Sequence, residues 1–109
     1  MKKSELISKI DYIFFNDELK PNENGELILG VAKREQKGIL ISSAIKDSPL
    51  LVKIVLYHEI GHILKDSGKH SCGKCYDIMS STMPDNPGPY TEEKFLNLKI
   101  KEYFDWLKE

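Results

Sequence analysis

The chain has too few cysteines, too little net charge and too few uninterrupted apolar residues for several common classes of protein. Two cysteines, Cys72 and Cys75, cannot supply the framework of a disulfide-stapled fold. Sixteen basic residues against seventeen acidic ones leave a formal net charge of −1, which gives no electrostatic reason to expect nucleic acid or an anionic membrane as partner. Arginine is nearly missing, Arg34 being the only one. The longest almost apolar stretch, Leu50 to Leu64, is interrupted by Lys53, His58, Glu59 and His62 and is too short and too polar to span a bilayer. Met1-Lys2-Lys3 is followed by Glu5, Lys9 and Asp11 rather than by the apolar core of a secretion signal, so the expected location is cytoplasmic. Repeats, low-complexity tracts and domain linkers are absent, and 109 residues suffice for a single domain with one core.

What is present reads as an α+β layout. Leu6, Ile7, Ile10, Ile13 and Phe14 recur at helical spacing, so a first helix is expected over Ser4 to Phe15 with Ser4 as its cap. The turn-rich run Pro21 to Gly25 precedes two β-rich stretches, 26–33 and 38–45. Joined by the polar residues 34–37, they predict a hairpin, with Gly30 at a bulge or a close approach. Ser48-Pro49 opens a second helix, serine as cap and proline at the first helical position, running to about Asp66 with Gly68 as its stop. Apolar on nearly every side, it should be the buried central helix. The stretch from Ser67 to Tyr90 is irregular, and Thr91 should cap a final helix with Glu92 and Glu93 in its first turn.

The chemistry lies in the central helix, where residues 58–62 read His-Glu-Ile-Gly-His. Positions i and i+4 share one face of an α-helix, so both imidazoles can reach a single cation. Neutral imidazole suits zinc, and a catalytic zinc site takes three protein ligands and keeps one position open for water. Glu59, beside the first histidine, sits where it can accept a proton from that water. A glutamate and two histidines on an otherwise apolar helix would be costly to bury without a partner.

His70 is the third and last histidine, eight residues after His62. From His62 to Ser67 a helix climbs ~7.5 Å at about 1.5 Å per residue. Two or three extended residues after Gly68, at roughly 3.3 Å each, can return by a similar distance. His70 is therefore the expected third ligand, with Cys72, Cys75 and Asp77 as rivals. The Cys72-Gly73-Lys74-Cys75 pattern reads as a disulfide or a pair of free thiols bracing this loop, because a redox motif would open a helix after a strand. Met79 is either a core methionine or an apolar floor under the ligands. Tyr76 and Tyr90 are candidates for a phenolic donor to a developing oxyanion, or are ordinary packing residues.

The segment His58 to Met79 resembles the active-site segment of the zincin metallopeptidases. It departs from the metzincins, having Lys65 and Gly68 where they carry glycine and histidine. In length and layout the chain is similar to the minigluzincins, small single-domain relatives of certain integral-membrane metallopeptidases. That resemblance implies a small zincin-like α+β domain of N-terminal helix, short hairpin, buried motif helix, irregular site loop and C-terminal helix. It also implies a zinc peptidase in which His58, His62 and His70 hold the metal and Glu59 is the catalytic acid/base, acting on peptide or unfolded protein. The expected substrate contact is strand addition to the outer strand of the hairpin, residues 38–45. Latency through the C-terminal segment, residues 91–109, is a further implication. Phe95, Tyr103, Phe104, Trp106 and Leu107 there exceed what one small core should cover. Docking across the cleft or on a second molecule, giving a homodimer, would cover the rest; the alternative is a helix that merely completes the core. The alternatives are a catalytically silent zinc-binding interaction module and a DNA-associated protease of the SprT type, the latter disfavoured by the absent basic patch.

Overall fold

The computed structural model describes residues 3–19, 28–70, 78–79 and 88–108. Its described elements, in chain order, are α1 (Lys3–Ser8), β1 (Tyr12–Asn16), β2 (Gly30–Lys33), β3 (Gly38–Ser42), α2 (Pro49–Leu64) and α3 (Glu93–Leu107). Short 3₁₀ turns occupy Arg34–Gln36, Ser43–Ile45 and Gly88–Thr91. This is the small α+β domain expected.

The N-terminal element departs from expectation. The helix stops at Ser8, and Tyr12–Asn16, of which Tyr12 to Phe15 were expected as its continuation, is a strand. Leu6 alone carries α1 into the core, while Ile7 is exposed. A six-residue helix has little stability of its own. The β-branched and aromatic run Tyr12–Phe15 instead pairs along its whole length with β3, in parallel, from Tyr12 opposite Gly38 to Asn16 opposite Ser42.

The hairpin is present, with β2 antiparallel to β3 and Gly30 opposite Ile41. Its position in the sheet corrects a second expectation. The order is β1-β3-β2, so β3 is the central strand with both edges paired. It cannot accept an added strand; among the described residues β1 and β2 are the edge strands. β1 is the more exposed of the two, with Phe14 60% and Phe15 53% accessible.

Helix α2 packs across the sheet and is buried nearly all round, at Ile54, Val55, Tyr57, Glu59, Ile60, Gly61, His62 and Ile63. Ser48 occupies the cap position and Pro49 the first turn, although the serine side chain makes no capping bond. Gly30 lets β2 approach the helix: a Cβ there would lie 2.6 Å from Val55 Cγ1 and 3.2 Å from Glu59 Cγ. On another side Gly61 admits Met79 and Trp106, at 2.6 Å from Sδ and 3.1 Å from the indole.

Helix α3 starts one residue later than expected, with Glu92 at the cap position and Thr91 in the preceding 3₁₀ turn. Ile100 and Tyr103 are buried, and the Tyr103 hydroxyl donates to the Tyr57 carbonyl at 2.6 Å. Burying a side chain such as Ile100 contributes about 1.5–3 kcal/mol, so these contacts make α3 part of the core. Among the described residues, no helix is long and apolar enough to cross a membrane.

Candidate metal centre

Helical spacing puts His58 and His62 one turn apart on α2, with ring centroids 4.7 Å apart. Each ring is oriented by the backbone. His58 Nδ1 lies 2.8 Å from the Ile78 carbonyl, and His62 Nδ1 lies 2.7 Å from the Ser67 carbonyl. A carbonyl only accepts, so both Nδ1 atoms carry the proton and donate. Both Nε2 atoms are then left with bare lone pairs, the arrangement of a metal-ligating histidine with its outer partner in place.

The Ser67 carbonyl is supplied by the end of the helix. Asp66 takes the left-handed conformation (φ 45°), and its N–H bonds Ile63 while that of Ser67 bonds His62. This pair of bonds is the usual glycine-type helix stop, built here on an aspartate two residues before the expected Gly68. The reversal carries the chain back, and His70 arrives with its Nε2 3.1 Å from that of His62. His58 Nε2 is also 3.1 Å from His62 Nε2.

The three imidazoles therefore converge, each offering a ligand atom within 4.8 Å of the others. With both α2 rings protonated on Nδ1, His58 and His62 face each other through two acceptors, a contact that repels unless a cation lies between them. Tetrahedral zinc with Zn–N of about 2.0–2.1 Å would set such nitrogens a little over 3 Å apart. The donor set thus fits a metal ion.

Glu59 lies beside this point, Oε1 4.0 Å from His58 Nε2. Its carboxyl is buried, and among the described residues no hydrogen-bond partner reaches Oε2. Burial pushes its pKa up to about 7. Burial also lowers His58 to about 4, against the opposing effect of the Ile78 bond, with further lowering from His62 and His70. His58 and Glu59 are consequently not an ion pair at neutral pH. His70 is lowered by burial first and by His62 second.

An open pocket at the imidazoles is lined by Ala32, Arg34, His62, Gly68 and His70. All four expected site residues, His58, Glu59, His62 and His70, are brought together. The rivals Cys72, Cys75 and Asp77, and also Tyr76, lie outside the described residues. Tyr90 is buried with its ring against Phe95, as a core residue is. Met79 is buried against Gly61, and the preceding residue, Ile78, supplies the carbonyl that orients His58. Sequence reasoning missed the two orienting carbonyls, which have no side-chain signature, and it missed Arg34. No protein-family model, curated protein or solved structure matches this chain.

Proposed function

We propose that the chain is a zinc-dependent peptidase. The observation that carries this reading is the convergence of three imidazole Nε2 atoms, two of them fixed by backbone carbonyls, beside a buried carboxyl 4.0 Å away. Zinc is the metal of choice because neutral imidazoles suit it and three protein ligands leave a position for catalysis. When bound, zinc supplies Lewis acidity, polarising a scissile carbonyl and lowering the pKa of water towards 7.

The chain's own residues do the rest. His58 and His62, held by Ile78 and Ser67, keep their lone pairs on the metal position. Glu59 takes the proton of the attacking water and passes it to the leaving amine, from its position beside His58. An extended substrate adds along β2, an outer strand among the described residues, whose Ala32 lines the pocket. Peptides and unfolded protein segments present the free backbone this requires.

Glu59→Gln is the direct test. The variant should keep its fold and its zinc while peptide hydrolysis falls ~10²–10⁴-fold, the usual contribution of a general acid/base. Undiminished hydrolysis in a protease-free preparation would remove Glu59 from the mechanism. Stoichiometric zinc without any cleavage by the unsubstituted chain would leave a binding module.

A further inference from the structure

Arg34 has no part in the scheme above, yet it lines the same pocket as His62 and His70. Local structure delivers it there. β2 ends at Lys33, and the 3₁₀ turn Arg34–Gln36 follows at once, closed by Lys37 in the left-handed region (φ 51°). The chain's only arginine thereby stands at the rim of the metal position.

Its ion pair does not account for it. Arg34 Nη1 is 3.7 Å from Asp66 Oδ1, beyond hydrogen-bonding distance for N–H···O. The two side chains are 44% and 86% exposed, so solvent screens the pair and its contribution to stability is small. A guanidinium carries five donors in a planar fork that matches a carboxylate with two parallel bonds. The contact with Asp66 leaves that fork largely unused.

We propose that Arg34 binds a carboxylate of the substrate beside the scissile bond, making peptides that present a carboxylate there the preferred substrates. Asp66 stands where this carboxylate would compete for the guanidinium. The proposal rests on the peptidase reading of the site. The carboxylate can belong to an aspartate or glutamate side chain or to the free C-terminus of a peptide, since the fork recognises the same group in both.

The test uses the full-length, zinc-loaded chain carrying Glu59→Gln, so that bound peptide is not consumed. Three peptide series are titrated by calorimetry: end-blocked with a glutamate walked through each position, end-blocked with glutamine in its place, and the glutamine series with a free C-terminus. At least one carboxylate peptide should bind about tenfold more tightly than its neutral counterpart, as expected for a charge-assisted bidentate contact. The series that gains identifies the source. Arg34→Ala should abolish the difference and Arg34→Lys should keep only part of it. Asp66→Asn, tolerated in the left-handed region, should strengthen the carboxylate peptide roughly twofold and leave the neutral one unchanged.

Equal binding of all three series, or a preference that survives Arg34→Ala, would overturn the proposal. The same peptides offered to the chain with Glu59 intact separate the two claims. Arg34-dependent binding without cleavage would contradict the peptidase reading alone. Cleavage indifferent to Arg34 would contradict the carboxylate site alone.

Discussion

The two histidines of α2 and the one that follows it reach the same point by different routes. His58 and His62 are set by helical spacing, lie partly or wholly buried, and have their rings tied to backbone carbonyls. His70 is exposed, and it is brought in by the chain reversal at Asp66. The rings of the pair on the helix are held by the backbone, which lowers the ordering cost of binding an ion. The third ligand completes the triad from a less supported segment. A small domain can thus build a metal centre from one helix and its stop, with the helix end serving both as terminus and as the outer partner of His62.

Removing ligands should separate the two routes most strongly. His62 Nε2 is 3.1 Å from each of the other two Nε2 atoms and so takes part in both short contacts of the cluster. His62→Ala should reduce zinc affinity by more than the ~10–100-fold typical of losing an outer-shell partner. His70→Ala should also weaken binding severely, but less than His62→Ala, in calorimetric zinc titrations. Equal losses would erase the distinction between helix-borne and loop-borne ligands.

The buried helix residues also predict a pH signature of the metal-free chain. Between pH 4.5 and 6.5 the unfolded chain holds a proton on His58 that the folded chain lacks, so this residue makes stability rise with pH. Over the same window the folded chain holds a proton on Glu59 that the unfolded chain lacks, so Glu59 makes stability fall with pH. Each slope is about 1.4 kcal/mol per pH unit, and the two oppose. Urea unfolding should therefore show little pH dependence from these groups, whereas Glu59→Gln should gain ~2–3 kcal/mol from pH 4.5 to 6.5. A variant as flat as the parent would mean that the helix site is not buried as described.

Glycine substitutions give a smaller contrast across α2. At Gly30 an added Cβ meets the short, branched Val55 and the Glu59 stem. Gly30→Ala should cost about 1–3 kcal/mol through overpacking and disturb Glu59 as well. At Gly61 the closest atom is the sulfur of a flexible methionine. Alanine there also gains about 1 kcal/mol of helix propensity, so Gly61→Ala should be nearer to neutral in thermal unfolding. The reverse order would show that the α3 side, rather than the sheet side, is the rigid one.

The parts legible in the sequence were those set by local rules. The i, i+4 pair, the Ser48-Pro49 helix start and the hairpin follow from spacing, capping chemistry and β-propensity. The reach of the chain after the helix was enough to nominate His70. The illegible parts depend on distant partners. Ile13 and Phe14 continue the helical period of Leu6 and Ile10, but Tyr12–Asn16 becomes a strand because β3 offers a full ladder. The same pairing makes β3 central and leaves β2 an outer strand among the described residues. A left-handed aspartate in place of Gly68, and carbonyls donated by Ser67 and Ile78, leave no mark in residue types.

The central claim is that three imidazoles and Glu59 form a metal-dependent peptide-cleaving centre. It is tested most directly by stripping the full-length chain with a chelator, then returning zinc in measured steps while following peptide hydrolysis and bound metal together. Hydrolysis should vanish on stripping and return in proportion to bound zinc, saturating at one ion per chain. Hydrolysis that persists in the stripped chain, or full zinc occupancy with none, would contradict it.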